Sequence, residues 1–277
     1  MEHEPQRDER GPPVGWPVGD WSPRPRPPRT PIIGRFATVE ALDPDRHAAE
    51  LFDANSEDRE GRLWTYYNFG PFTTFSEYRA WLDAACANPD RLYHAIRDTA
   101  LGQAVGVAVY QHCVPSMGTI EIGGLVFSPR LQRRPAATEA MFLMMRRVFD
   151  ELGYRRYEWK CDSLNLPSRA AAVRLGFQYE GLFRQAMITR GRNRDTAWFS
   201  VIDRDWPALR AAFERWLDPC NFASDGTQLR RLADGPWYCT KKMVPPVTSA
   251  GDVHPHSLML AAIAATCASV CVRAFLA

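Results

Sequence analysis

The stretch LQRRPAATEA, residues 131–140, joins a polar loop to a helix and decides the fold. Before it stands TIEIGGLVF, residues 119–127, which is typical of a buried strand. After it, apolar residues recur at helical spacing, and Gly153 supplies a stop signal. The pattern predicts a helix over residues 136–152. The apolar positions of this helix are Ala137, Ala140, Met141, Met144, Met145, Val148 and Leu152.

A second strand follows this helix directly. In YRRYEWKC, residues 154–161, Tyr157, Trp159 and Cys161 alternate with charged side chains. A period of two residues is typical of a strand with one buried face. Two strands joined through a helix of this length must run parallel, and such a crossover is right-handed. The other strands are joined by short turns, which favour antiparallel pairing.

The predicted order of elements is strand, two helices, three strands, helix, strand, helix and two strands. Asp43 before Pro44 predicts the start of the first helix, and Thr74 with Glu77 has the spacing of a capping box at the second. The segment GRN, residues 191–193, predicts a hairpin between the last two strands. The fold class is therefore α/β, in the sense of an α+β arrangement on a mixed sheet.

Composition limits the class of protein. The chain has 277 residues, of which 45% are hydrophobic and 24% charged, as in ordinary globular proteins. A net charge of +2 gives no reason to expect a nucleic-acid partner. The seven cysteines form no CxxC pair, and with the histidines they show no metal-ligand spacing. We therefore expect reduced thiols, a cytoplasmic location and no metal.

Polar side chains stand before two helices of the predicted sheet. Gln132, Arg133 and Arg134 precede the helix that starts at residue 136, and a helix N-terminus attracts anions such as a pyrophosphate. Asn165 and Ser168 begin the helix after the next strand. Both helix starts should flank one crevice at the carboxyl ends of the strands. The alternative is that QRR is simply a solvated, charged turn.

With these landmarks in order, the sequence resembles the GNAT superfamily of acyl-CoA N-acyltransferases. QRRPAA stands where the family has Q/R-x-x-G-x-G/A. The EIG of the preceding strand, the TEA that follows and the N-x-x-S with LGF resemble the branch of ribosomal-protein N-terminal acetyltransferases. The resemblance covers about residues 32–217. It implies a mostly antiparallel sheet with one parallel, splayed strand pair and helices on both faces.

The resemblance also implies acetyl-CoA as co-substrate and direct attack by an acceptor amine, without a covalent enzyme intermediate. The pantetheine arm would pair with the backbone near Leu125 and Phe127. The residues that would hold the pyrophosphate and the rest of the cofactor are Gln132, Arg133, Arg134, Ala136, Ala137, Thr138, Asn165 and Ser168.

Glu121 is the expected general base, because it falls where some family members carry a catalytic glutamate. Only a neutral amine is nucleophilic, so a base must take a proton from the ammonium group. On a mostly apolar strand we expect the pKa of Glu121 to be raised. Alternatively, Glu121 orients a water or binds the positive charge of the acceptor. Glu158 is the reserve candidate, with an ion pair to Arg156 or Lys160 as its alternative role.

Two positions depart from the family pattern. Pro135 replaces the first glycine and has no N–H for a phosphate, although proline suits the first turn of a helix. Ala172 stands where many members have a tyrosine that protonates the leaving thiolate. Water would then have to serve, or the thiolate would leave as such. These departures keep open a second function, a non-catalytic CoA-binding module.

Two segments should shape the acceptor pocket. They are LWTYYNFGPF, residues 63–72, and MITRGRNRDTAWF, residues 187–199. The first supplies aromatic side chains, and the second supplies arginines. The alternative is that most of the aromatics are core and the arginines a solvated turn. The acceptor could be a small amine or a protein N-terminus.

The ends of the chain differ from its middle. We predict a proline- and arginine-rich arm over residues 1–31, the acetyltransferase domain over 32–217 and an extension over 218–277. Trp16 and Trp21 favour an arm that packs on the domain, and a leader without structure is the alternative. The last 21 residues are nearly free of charge, but Arg273 lies among them, so we expect a helix that rests on the domain or an appendage without a packed role, with a membrane tail anchor as the alternative.

Overall fold

The computed structural model describes residues 6–234. The strands are β1 (Gln6–Arg7), β2 (Pro13–Val14), β3 (Ile32–Ile33), β4 (Ala37–Ala41), β5 (Leu92–Asp98), β6 (Gln103–Val114), β7 (Thr119–Phe127), β8 (Arg156–Asp162), β9 (Gln178–Thr189) and β10 (Arg192–Ile202). The α-helices are α1 (Pro44–Asn55), α2 (Phe75–Cys86), α3 (Pro135–Arg146), α4 (Leu166–Arg174) and α5 (Trp206–Leu217).

The central sheet has eight strands in the order β3-β4-β5-β6-β7-β8-β10-β9. Its neighbouring strands pair antiparallel, except for β7 and β8, which are parallel. Helix α3 lies between β7 and β8 in the chain, so the predicted crossover is confirmed. The mixed sheet with one parallel pair is confirmed with it.

Helices cover both faces of this sheet. Helices α1 and α2 pack with β5 and β6 around a core that includes Leu51, Tyr78 and Leu82. Helices α3 and α5 bury Met144 and Phe213 in a second, larger core on the other face. The strands between them alternate: in β8, Tyr157, Trp159 and Cys161 are buried and their neighbours are only half-buried. The predicted two-sided arrangement is confirmed.

The predicted helix caps hold, and other boundaries shift, including that of β8, which begins at Arg156 rather than at residue 154. Asp43 caps α1, and Thr74 and Glu77 form the capping box of α2. The predicted helix over 136–152 is only partly α-helical, because α3 is followed by a wider π turn over Arg147–Glu151. The apolar spacing did not predict the wider turn, because Val148 and Leu152 are buried here as a regular helix would also have them.

The hairpin between β9 and β10 turns one residue earlier than GRN predicts. Its two turn residues, Arg190 and Gly191, have φ angles of 49° and 72°. Two positive φ angles are typical of the tight turn that matches the twist of antiparallel strands. Gly191 adopts this conformation without strain, and Arg190 adopts it at some cost.

The N-terminal segment lies against the rest of the chain from Trp21 onward. Trp21 Nε1 donates to the carbonyl of Ser116 at 2.7 Å, and the Tyr154 hydroxyl donates to the carbonyl of Pro25 at 3.0 Å. Arg147 donates to the carbonyl of Thr30 at 2.6 Å. These contacts favour the packed arm over a leader without structure. The three-part division of the chain stays a prediction.

The extension is described as far as residue 234. Phe222 packs against Phe36 with ring centroids 5.0 Å apart, and Leu232 is buried in the larger core. The apolar run over 257–277 lies outside the described residues. Within residues 6–234, no helix is both long and apolar enough to cross a membrane.

Candidate active site

The parallel pair β7–β8 opens part-way along its length. Pairing runs from Thr119 opposite Arg156 to Ile122 opposite Trp159 and then stops. Beyond that point β7 continues to pair with β6, as far as Phe127 opposite Gly106. Residues 123–127 of β7 therefore face a gap where β8 has turned away. We call this opening the β7–β8 gap.

The two glycines of TIEIGGLVF make the gap possible. Gly124 has a φ of +56° and lies at a register shift between β6 and β7, and a Cβ there would come within 2.7 Å of Val109. At Gly123, a Cβ would come within 2.4 Å of the amide nitrogen of Gln111. A side chain at either position would disturb the bulge or the polar contacts beside it.

A cavity of about 470 Å³ lies at the β7–β8 gap. The aromatic loop, residues 63–72, lines one side with Tyr66, Tyr67 and Phe69. The β9–β10 hairpin lines another side with Phe183, Met187 and other residues. The size and mixed apolar and polar walls suit a small organic ligand.

The hairpin and the aromatic loop are tied together over this cavity. Arg190, at the turn of the hairpin, donates to the carbonyls of Phe69 and Gly70 in the aromatic loop. Arg190 is therefore more than a solvated turn residue. The aromatics divide: Trp64 is buried in the core of α1 and α2, whereas Tyr67 and Phe69 also contact the cavity.

Glu121 lines the cavity as a buried carboxylate. It accepts hydrogen bonds from Gln111 Nε2 at 2.7 Å and from His112 Nδ1 at 2.8 Å. Lys160 Nζ lies 2.8 Å from the same carboxylate. Only 4% of the Glu121 side chain is exposed, so these donors replace nearly all of its contact with water.

The expectation of a raised pKa for Glu121 is wrong. Burial by itself raises the pKa of Glu121. The hydrogen bond from His112, the charge and hydrogen bond of Lys160 and the hydrogen bond from Gln111 lower it, and together they outweigh the effect of burial. The net pKa lies below the ordinary value. Burial lowers the pKa of Lys160, but the negative charges of Glu121 and Glu158 outweigh this effect, and the net pKa is raised. Glu121 and Lys160 therefore form a charged pair.

His112 is the site residue that sequence analysis did not find. Its side chain is 61% exposed and lines the cavity, while its Nδ1 contacts Glu121. Its backbone has a φ of +46° at a register shift in β6, which is uncommon for a residue with a side chain. The available signal was the polar pair Gln111–His112 at the end of an otherwise apolar strand.

Glu158 has the role that the alternative interpretation gave it. Its carboxylate lies 2.6 Å from Arg156 and 2.9 Å from Lys160, and it is not among the residues that line the cavity. In the register of the sheet it stands directly opposite Glu121. Lys160 therefore separates two carboxylates on adjacent strands.

The predicted cofactor residues fall into two groups. Leu125, Asn165 and Ser168 line the cavity together with Glu121. The others lie outside the cavity, along the strand end and the loop before α3. They are Phe127, Gln132, Arg133, Arg134, Ala136, Ala137 and Thr138.

Several of these groups have partners within the protein. Tyr67 donates to the carbonyl of Leu125 at 2.8 Å, and Gln132 donates to the carbonyl of Phe127 at 2.9 Å. Arg134 pairs with the buried Asp98 at 2.9 Å. The Arg134 contact holds the loop before α3 against the turn after β5.

The start of α3 keeps backbone amides for a ligand. Arg134 occupies the N-cap position in an extended conformation and makes no side-chain capping bond, and Pro135 is the first helical residue. Arg133 has a φ of +62°. No side chain caps this helix, so the N–H of Ala136 is left for another acceptor, whereas that of Ala137 already donates to the carbonyl of Arg134 at 3.1 Å. Thr138 is buried and accepts a hydrogen bond from Arg174 at 2.9 Å, so its backbone rather than its hydroxyl suits a ligand.

The second helix start is built differently. Asn165 accepts from the backbone N–H of Ser168 at 3.1 Å and so caps α4. Ser168 Oγ accepts from Trp159 Nε1 at 3.0 Å. Because Asn165 is used as a cap, it orders the helix start at the cavity wall.

Comparison with known proteins agrees with this geometry. Residues 38–178 match the model of the acetyltransferase (GNAT) domain. A GCN5-related N-acetyltransferase from Brucella melitensis is 47% identical, over 78% of this chain and 98% of that chain, with a TM-score of 0.76. The chain belongs to the GNAT acetyltransferase family.

A second GNAT structure, from Chromobacterium violaceum, is 40% identical over 71% of this chain and 98% of that one, with a TM-score of 0.66. A Vibrio cholerae structure, described as a proposed ribosomal-protein-serine acetyltransferase, shares the fold at 21% identity and a TM-score of 0.54, over 63% and 98% of the two chains. The uncharacterized N-acetyltransferase YnaD of Bacillus subtilis is 27% identical over 88 residues, which span 32% of this chain and 51% of YnaD.

The two departures from the GNAT pattern are explained differently by the structure. Pro135 opens α3, where a missing N–H leaves no helical hydrogen bond unmade. Ala172 is fully buried in the larger core, so this acetyltransferase has no hydroxyl at that position. The proline at position 135 therefore leaves the helix intact, and the side chain at position 172 offers no proton donor.

Proposed function

We propose that this protein transfers the acetyl group of acetyl-CoA to a primary amine by direct attack in a ternary complex. The observation that carries the proposal is the opening of the parallel pair β7–β8 after Ile122 and Trp159, with a cavity at the opening. An unpaired strand edge can pair with the amide groups of a pantetheine arm as it would with another strand.

The residues around the gap fit acetyl-CoA. The backbone of Leu125 and Phe127 would hold the pantetheine arm, which would displace the contact of Tyr67 with the Leu125 carbonyl. The amides of residues 133–138, except that of Pro135, would hold the pyrophosphate, and the amides of Arg134 and Ala137 would leave the carbonyls to which they donate now. Arg133 adds positive charge, and Gln132 and Arg134 would add donors by exchanging their contacts with Phe127 and Asp98. Asn165 and Ser168 would line the other side of the arm.

The acceptor amine would enter from the side of the aromatic loop and the β9–β10 hairpin. There the walls combine aromatic rings with Arg91, Arg194 and Asp162. We place Glu121 at the centre of proton transfer, because it is a buried carboxylate that lines the cavity. With alanine at position 172, the CoA thiolate would leave as such and take its proton from water.

Thermal unfolding of the full chain with and without acetyl-CoA tests the cofactor. Acetyl-CoA at a hundred times its dissociation constant should add about 2.7 kcal/mol of stability, a shift of several degrees. Reversing a charge in the loop before α3, Arg133→Glu, should weaken binding about tenfold. Arg10→Glu, at an exposed position between β1 and β2, is the matched control and should leave binding unchanged.

Turnover is tested next with a panel of primary amines. The panel should include peptides with free N-termini, amino acids, polyamines and amino sugars, with CoA release as readout. Acetylation of an amine by the wild type would support the enzyme. If acetyl-CoA binds but no amine is acetylated, the protein is a CoA-binding module. If millimolar acetyl-CoA gives no shift, the cofactor assignment is wrong.

A further inference from the structure

The backbone of His112 holds an unusual conformation that brings its side chain to the cavity. Its φ of +46° lies in the left-handed region, which a non-glycine residue adopts only under strain. The register of β6 and β7 shifts between Gln111 and Val114, so His112 lies at an irregularity of the strand pair. Such bulges re-aim side chains beside active sites.

Glu121 is poorly placed to touch an acceptor itself. Its side chain is 4% exposed, and Gln111, His112 and Lys160 already occupy its oxygens. His112 is placed in the opposite way, with 61% of its side chain exposed. Within residues 6–234, the Nε2 atom of His112 has no hydrogen-bond partner, whereas its Nδ1 lies 2.8 Å from Glu121.

This contact fixes the proton arrangement on the ring. Glu121 is a carboxylate, because its pKa is lowered, and a carboxylate accepts hydrogen bonds. Nδ1 of His112 must then carry the hydrogen, which leaves the lone pair of a neutral ring on Nε2. The other charged groups of the cavity are Arg91 before β5, Lys160 and Asp162 on β8, and Arg194 on β10.

We propose that His112 Nε2 is the group that takes the proton from the acceptor ammonium, and that Glu121 is the positioning residue that orients the ring. The proposal rests on the proposed acetyl transfer and deepens it. It moves the catalytic contact from the carboxylate, where the sequence placed it, to the imidazole. Among side chains, imidazole ordinarily exchanges its proton near neutral pH.

The proton and electron pairs balance in this scheme. Nε2 takes one proton from the ammonium, and the freed nitrogen lone pair forms the C–N bond to the acetyl carbonyl carbon. The C–S bond breaks with its electron pair on sulfur, and CoA leaves as thiolate. The second nitrogen proton passes to the thiolate through water. The proton on His112 passes to solvent at its exposed face.

The variant His112→Gly gives a sharp test. Glycine adopts a φ of +46° without strain, so the variant should fold, and the missing ring leaves space for added imidazole. Using an amine that the wild type acetylates, we expect kcat to fall at least about 100-fold with little change in KM. Millimolar imidazole should restore part of the rate in the variant and leave the wild type unchanged.

Gln111→Leu is the matched comparison, because it removes another donor to Glu121 without removing the imidazole. It should lower kcat by a smaller factor and keep the acidic limb of the pH–kcat profile, which His112→Gly should lose. Full kcat in His112→Gly, or no rescue by imidazole, would overturn the inference while acetyl transfer stands. If no amine is acetylated by the wild type, the proposed function fails and this inference fails with it.

An NMR measurement separates positioning from catalysis. In ¹⁵N-labelled wild-type protein, His112 should be the tautomer with hydrogen on Nδ1, its signal assigned by its absence in His112→Gly. In Glu121→Gln this preference should be lost and kcat should fall. The opposite tautomer in the wild type, with hydrogen on Nε2, would refute the role of Nε2 as proton acceptor.

Discussion

Replacing Lys160 by methionine should lower the free energy of unfolding by about 3 kcal/mol at pH 7. Lys160 Nζ lies 2.8 Å from Glu121 and 2.9 Å from Glu158, and these carboxylates stand opposite each other on β7 and β8. Methionine keeps most of the side-chain volume but removes the charge. Two carboxylates, 4% and 13% exposed, then face each other without their shared cation.

The magnitude follows from these contacts. Removing one partner of a buried ion pair costs about 3–5 kcal/mol, because the remaining charge stays desolvated. The ammonium also lies 3.8 Å from the centre of the Trp198 ring, a contact of about 1 kcal/mol. Lys160 is 15% exposed and methionine keeps the apolar part of its contact with Trp198, so we take the lower end. For a domain of this size, 3 kcal/mol corresponds to about 6–12 °C in Tm.

The stability deficit of Lys160→Met should change with pH in a direction set by the pKa of Glu121. The pKa of Glu121 is lowered in the folded protein, so its stabilisation is present above the ordinary carboxylate pKa and is lost as pH falls through the folded value. Without Lys160, burial and the facing Glu158 favour the protonated acid. The deficit of Lys160→Met should therefore be largest near pH 7 and shrink as pH falls toward 4.

Urea unfolding between pH 4 and 8 measures this, with Arg62→Met as control. Arg62 pairs with Glu60, but both side chains are mostly exposed, so that variant should lose no more than about 0.5 kcal/mol at any pH. A loss below 1 kcal/mol for Lys160→Met, or a deficit that does not change with pH, would refute the reasoning.

Three further predictions follow from contacts near the cofactor site. Tyr67→Phe should destabilise the cofactor-free protein by about 1 kcal/mol and enlarge the Tm shift on adding acetyl-CoA, because the Leu125 carbonyl loses a partner that pantetheine can replace; equal shifts in both proteins would contradict this. Pro135→Ala should lower the free energy of unfolding by about 0.4–1 kcal/mol, and titration calorimetry should show the acetyl-CoA dissociation constant changed less than twofold. Binding of acetyl-CoA that becomes tenfold tighter would instead show that the proline removes a phosphate contact. Glu139→Ala should cost at least about 3 kcal/mol in urea unfolding, because the carboxylate accepts three backbone N–H groups, from Arg35, Phe36 and Ala37; a loss under 1 kcal/mol would contradict it.

The sequence by itself determined the order of the elements from β4 to β10, the parallel crossover and the family, but not the short strands β1, β2 and β3. These depend on local signals: the caps at Asp43 and Thr74, the apolar spacing of α3 and the alternation of β8. Each signal involves residues close together in the chain, so one sequence carries it. Glu121 was predicted for a related reason, because the family resemblance places it by counting back along one strand from the QRRPAA motif.

Tertiary structure alone decided the chemistry around Glu121. Strand alternation suggested an apolar setting and a raised pKa, but the donors come from β6 and β8, at positions that only the sheet register brings together. His112 reaches the cavity through a positive φ at a bulge, which no propensity predicts for histidine. Contacts such as Arg190 to the aromatic loop and Tyr67 to Leu125 span 58 to 121 residues. Their energies depend on distances between segments, and the local pattern of a sequence does not contain those distances.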